Sequence, residues 1–113
     1  MGCDRSPLNS YNLHKAVIED SREIIQILLE NGVESSVWDD NGMAPLHLAA
    51  IKDNIEVVRL FLQHGADISI QDGEVGLTAL HMAVSRGHNG VVSLLLENGA
   101  DISTPDDEGQ TAI

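Results

Sequence analysis

The sequence predicts an all-α repeat solenoid, and two observations carry that prediction. The stretch Ala44-Pro45-Leu46-His47-Leu48-Ala49-Ala50 returns as Thr78-Ala79-Leu80-His81-Met82-Ala83-Val84. A weaker copy, Tyr11-Asn12-Leu13-His14-Lys15-Ala16-Val17, lies upstream, and a cut-off copy, Thr111-Ala112-Ile113, closes the chain. The histidines step by 33 residues from His14 to His47 and by 34 from His47 to His81, and Gly32, Gly65 and Gly99 move in the same steps. Two markers sharing one period of this length signal units that stack on one another.

Composition agrees. The 113 residues suffice for one domain with a core, 42% are hydrophobic, and only 3% are aromatic. Such a core is built from Leu, Ile, Val and Ala, which suits closely stacked helices. The formal net charge of −12 disfavours nucleic-acid phosphates and anionic membrane surfaces as partners. It favours a basic partner, or simple solubility. Cys3 is the single cysteine and has no intrachain partner, so an intracellular, cytoplasmic or nuclear setting is expected. No apolar run approaches the roughly 20 residues of a membrane span, and no signal peptide is readable.

In chain order, residues 1–9 form a polar lead-in. The start matches a myristoylation pattern at Gly2, with Cys3 placed for palmitoylation, which raises a lipid-anchored adaptor as one alternative. Pro7 directly after Ser6 and the lack of a basic cluster weigh against it. Repeat one spans residues 10–42. Its helices are expected at 11–18 and 22–30, the second with Ile24, Ile25, Ile27, Leu28 and Leu29 on one broad apolar stripe. Asn31-Gly32 ends that helix, since glycine accepts a left-handed backbone.

Repeat two spans residues 43–76, with helices near 44–51 and 55–64. Pro45 fits the first helical turn. Ala44 stands where Thr78 and Thr111 stand in other copies, so this start lacks a side-chain cap, a loss of about 1 kcal/mol. Repeat three spans residues 77–109, with helices near 78–85 and 89–97 joined by Arg86-Gly87-His88. Gly90 inside the last helix should cost about 1 kcal/mol relative to alanine. One extra residue in the loop 71–76 explains the longer step. Residues 110–113 begin a fourth repeat.

These residues resemble the ankyrin repeat. The resemblance rests on Pro45-Leu46-His47-Leu48-Ala49-Ala50, on Gly87-His88, and on Phe61-Leu62-Gln63-His64-Gly65-Ala66-Asp67 with its copy Leu95-Leu96-Glu97-Asn98-Gly99-Ala100-Asp101. It covers about residues 9–113. It implies L-shaped units: antiparallel helix pairs that stack on their neighbours, with β-hairpin-like loops projecting from them. About three units are needed for stability. Lys15 falls in the column of Leu48 and Met82, which in the family packs on the preceding repeat, so repeat one reads as an N-terminal cap. Ile113 falls mid-helix, so the chain is expected to continue or to dock there. An N-terminal capping fragment of a longer array is therefore a second alternative, with further repeats beyond Ile113.

The resemblance makes His14, His47 and His81 structural, each hydrogen-bonding the adjoining loop. Repeats lie about 10 Å apart, too far for these rings to share a metal. No nucleophile with a spaced base is present, so neither catalysis nor a cofactor is expected. Partners in this family usually meet the loop tips and the exposed side of the first helices. Here those are Trp38, Asp40, Asn41, Met43, Ile51 and Lys52, then Gln71, Glu74, Val75, Leu77, Ser85 and Arg86. Trp38 shares a loop-tip column with Gln71 and Thr104 and is either an exposed anchor or folded back on its loop. Asp39 and Asp72 fall in a framework column. Asp40, Glu74, Asp107 and Glu108 remain as an acidic ridge suited to a basic segment. Non-catalytic protein–protein interaction through these tips and helices is the expected function.

Overall fold

The computed structural model describes residues 10–111, with side chains from residue 13 onward. Six helices follow in order: α1 (Ser10–Ile18), α2 (Arg22–Glu30), α3 (Pro45–Ile51), α4 (Ile55–Gln63), α5 (Ala79–Arg86) and α6 (Asn89–Glu97). No strand occurs among the described residues. All six lie within two residues of the bounds expected from the sequence.

Local chemistry sets those bounds. The second helix of every repeat ends in the same way. Gly32, Gly65 and Gly99 adopt φ of +80°, +82° and +94°. The amides after them reach back, Val33 to Leu28, Ala66 to Phe61 and Ala100 to Leu95, each at 3.0–3.1 Å. That pattern satisfies carbonyls a helix end would otherwise leave unpaired. The turn inside each helix pair repeats the device at Asp20 (φ 60°), Asp53 (φ 57°) and Gly87 (φ 73°). Two aspartates hold a left-handed conformation there that L-residues adopt at a cost of about 1–2 kcal/mol. The Asp20 carboxylate accepts from the Asn54 side chain, and Asp53 lies 3.8 Å from His88 Nδ1.

Helix starts differ as the sequence suggests. Thr78 Oγ1 accepts from the His81 amide at 3.2 Å. Ala44 has no oxygen to offer, and only the reverse half of the arrangement remains, its amide donating to His47 Nδ1 at 3.0 Å.

α1, α3 and α5 pack side by side in one layer, and α2, α4 and α6 in a second. Between the layers lie Leu13, Leu46 and Leu80 from the first helices and Leu28, Phe61 and Leu95 from the second, all buried. Ala16, Ala49 and Ala83 keep the first helices close. Gly90 has a packing reason: a Cβ there would lie 2.6 Å from Ile55 Cδ1, so the glycine admits α4's first residue against α6.

The broad stripe expected on α2 needs correction. Ile25, Leu28 and Leu29 are buried, whereas Ile24 and Ile27 are half exposed. Lys15 on α1 is exposed, and Ile24 and Ile27 leave an apolar side on α2.

Candidate partner-binding surface

Each loop tip is closed by a backbone hydrogen bond, and each carries one bracing aspartate. Asp39, Asp72 and Asp106 amides donate to Met43, Leu77 and Gln110 carbonyls, each at 2.8 Å. Their Oδ1 atoms turn inward. Asp39 accepts the amides of Asn41 and Met43, and Asp106 those of Glu108 and Gln110. Asp72 closes the longer loop by accepting four, from Glu74, Val75, Gly76 and Leu77. Burial alone would raise the Asp72 pKa, but these four donors together hold it below the usual carboxylate value.

The histidines tie helices to tips. His47 Nδ1 accepts the Ala44 amide, so its proton sits on Nε2, which donates to Leu77 O at 2.9 Å and Ile70 O at 3.1 Å. His81 repeats this with the Thr78 amide and Gln110 O, and His14 Nε2 reaches Met43 O at 2.8 Å. Burial lowers the His47 pKa, outweighing its carbonyl partners and the Asp72 charge. Asp72 Oδ1 braces the four loop amides, and its charge acts on His47 in the opposite sense to burial. Among the described residues, no group of three or more side chains is placed to hold a metal ion.

The tips are also joined to one another. Gly73 N donates to Gly42 O, and Asp107 N to Val75 O, both at 2.8 Å. Trp38 Nε1 donates to Gln71 O at 2.9 Å, and Gln71 Nε2 donates to Pro105 O at 3.0 Å. The successive tips thus form one continuous hydrogen-bonded strip. Beside the first tip lies a groove of about 480 Å³, lined by His14, Lys15, Ile18 and residues 37–41.

Comparison with known families decides the identity of the repeat. A profile described as "Ankyrin repeats (3 copies)" matches residues 2–72, and one described as "Ankyrin repeat" matches residues 75–107. The chain belongs to the ankyrin-repeat family. No curated protein matches it significantly. Ankyrin repeats generally mediate protein–protein interaction, and the family is typically non-catalytic.

Within this ankyrin frame, none of the fourteen residues expected to face a partner is fully buried. Asp40, Asn41, Glu74, Val75, Asp107 and Glu108 are exposed along the tips, and Lys52, Ser85 and Arg86 at first-helix ends. Met43, Ile51 and Leu77 are half-buried. Gln71 is half-buried, and its side chain also braces loops, donating to Gly76 O and Pro105 O. The column of Trp38 and Gln71 continues in Pro105 rather than Thr104, because the inserted residue lies beyond Gln71, between the Asp72 and Leu77 that close the tip. Trp38 combines both readings of its side chain. It is 54% exposed, yet its indole lies over Gly73, where a Cβ would approach Cε3 to 3.1 Å. Ile18 and Val37, which line the groove, were not singled out in the sequence, and Lys15 was singled out there only as a departure from the repeat pattern. Ile18 shares the column of Ile51 and Ser85, and that register was the signal for it.

Gly2 and Cys3, where lipidation was considered, lie outside the described residues, as does Ile113. No helix among the described residues is long and apolar enough to cross a membrane.

Proposed function

We propose that this chain recognises a protein partner, without catalysis, along its joined loop tips and the adjoining sides of α1, α3 and α5. The observation that carries the reading is the hydrogen-bonded strip of tips beneath a half-exposed tryptophan. Tip-to-tip bonds hold the exposed side chains in place, so little conformational entropy remains to be lost on binding. Trp38, Val37 and Ile18 supply an apolar anchor at the groove. Asp40, Glu74, Asp107 and Glu108 line an acidic edge beside it, which suits a partner segment carrying Lys or Arg.

The test is a paired capture from cell lysate with two folded baits, the parent chain and a Trp38→Ala, Asp40→Lys, Glu74→Lys variant. Proteins retained by the parent alone, and released by moderate salt, support the reading. Identical captures from both baits would refute it.

A further inference from the structure

Four asparagines stand directly before a glycine: Asn31-Gly32, Asn41-Gly42, Asn89-Gly90 and Asn98-Gly99. A carboxamide in that position is open to attack by the glycine nitrogen, which no Cβ screens. The dipeptide is the same in all four places, so the fold sets them apart. Asn31 and Asn98 end α2 and α6. Their Nδ2 atoms donate to Ile27 O at 2.7 Å and Leu94 O at 2.8 Å, and the Gly32 and Gly99 amides donate to Leu29 O and Leu96 O. Attack there means undoing a helix end whose next bonds run to buried Leu28 and Leu95. Asn89 and Gly90 open α6, and Gly90 lies against Ile55 of α4. Their helical backbone must unwind before the two groups meet. Asn41 differs. It is exposed at the first loop tip, and its carboxamide makes no hydrogen bond among the described residues. Loop backbone alone holds the pair: Asn41 N donates to Asp39 Oδ1 at 2.8 Å, and Gly42 N to Asp39 O at 3.0 Å. Exposed loops open at lower cost than helices packed on a core.

We propose that Asn41 is a site of spontaneous deamidation, which converts the first tip to an isoaspartate form. Gly42 N attacks Asn41 Cγ and the new N–C bond forms. The bond from Cγ to Nδ2 breaks, and that nitrogen leaves as ammonia with the proton given up by the Gly42 amide. The succinimide then adds one water at either carbonyl, giving aspartate or isoaspartate. Isoaspartate changes the tip in two ways. It adds a carboxylate next to Asp40, on an edge that is already acidic. It also routes the main chain through Cβ and Cγ, one atom longer between Asn41 Cα and Gly42 N. Gly42 O accepts from Gly73 N at 2.8 Å, the bond that joins the first tip to the second. A Cβ on Gly42 would lie 3.1 Å from Gly73 N, so the two tips leave little room for a displaced backbone. The lengthened chain moves the Gly42 carbonyl and loosens this joint.

The test ages the full chain in mildly alkaline buffer, once folded and once in urea. Peptide mapping with electron-transfer fragmentation then locates each product and distinguishes isoaspartate from aspartate. In urea all four asparagines convert at similar rates. In the folded chain, whose fold circular dichroism verifies throughout, Asn41 leads Asn31, Asn89 and Asn98 by about tenfold or more, as a cheaper local opening requires. Asn41→Gln, which closes the ring far more slowly, removes the first charge change seen on native isoelectric focusing. Asn41→Asp carries the new charge on an unlengthened main chain and separates the two effects. The Gly73 amide exchanges its hydrogen faster in the isoaspartate chain than in Asn41→Asp. Equal rates at the four sites of the folded chain, or a lead at any of the other three, would overturn the site. Gly73 exchange as slow as in Asn41→Asp would overturn the loosening. These readouts involve no partner, so this proposal and recognition along the tips can fail separately.

Discussion

The indole N–H of Trp38 donates to the carbonyl of Gln71, 2.9 Å away and one repeat further along the stack. A side chain that looks like a free anchor is therefore also a strap between two loop tips. Trp38→Phe keeps an aromatic ring over Gly73 and removes the donor. It should lower stability by about 0.5–1.5 kcal/mol, the usual net worth of one hydrogen bond. Urea unfolding followed by circular dichroism measures this, and a change near zero would mean the strap adds nothing to the fold.

His47 gives the fold a pH dependence of definite sign. Its Nδ1 lone pair is occupied by the Ala44 amide, and burial holds its pKa below 6.5. The unfolded chain therefore binds this proton more readily than the folded one. The stability His47 contributes is fully present above pH 6.5 and is lost as the pH falls through its lower folded value. Asp72 acts in a separate window, below 3.8, where protonation removes the acceptor for four amides. Urea midpoints across these ranges should fall in two steps. His47→Ala should flatten the upper step alone.

Ala44→Thr should stabilise the chain by about 1 kcal/mol, the ordinary gain from a missing N-cap. Thr78 shows that the position accommodates a threonine in almost complete burial. A destabilised variant would mean that repeat two packs too tightly at this start to accept the hydroxyl.

Two glycines with the same backbone angle should respond differently to alanine. Gly32→Ala meets no atom within 4 Å at φ +80°, so it bears only the left-handed cost of about 1–2 kcal/mol. Gly76→Ala has φ +79° and would also drive its Cβ into the Asp107 carboxylate. It should cost clearly more, in urea melts of matched samples. Equal losses would show that the 73–77 and 106–109 tips separate freely.

The helices were legible in the sequence because their ends are written in local chemistry. Asn31-Gly32, His64-Gly65 and Asn98-Gly99 each stop a helix whatever surrounds it. The faces of α2 were not legible in the same way. Periodicity places Ile24 and Ile27 on the apolar side, but burial depends on what packs there: Val57 and Val91, in the register of Ile24, are buried, whereas Ile24 is 50% exposed. The binding surface was legible by register as far as Asp40, Glu74 and Arg86. Gln71 escaped because its use depends on the carbonyls of Gly76 and Pro105, which folding brings within reach. Asp20 and Asp53 escaped because their column shows its left-handed requirement only through Gly87.

The most direct measurement is the hydrogen-exchange footprint of a captured partner on this chain. Slowed exchange should fall on residues 37–43, 73–77 and 106–109 and on the C-terminal ends of α1, α3 and α5, leaving α2, α4 and α6 unchanged. Protection confined to the outer side of the second-helix layer, with the tips unaffected, would contradict recognition along the ridge.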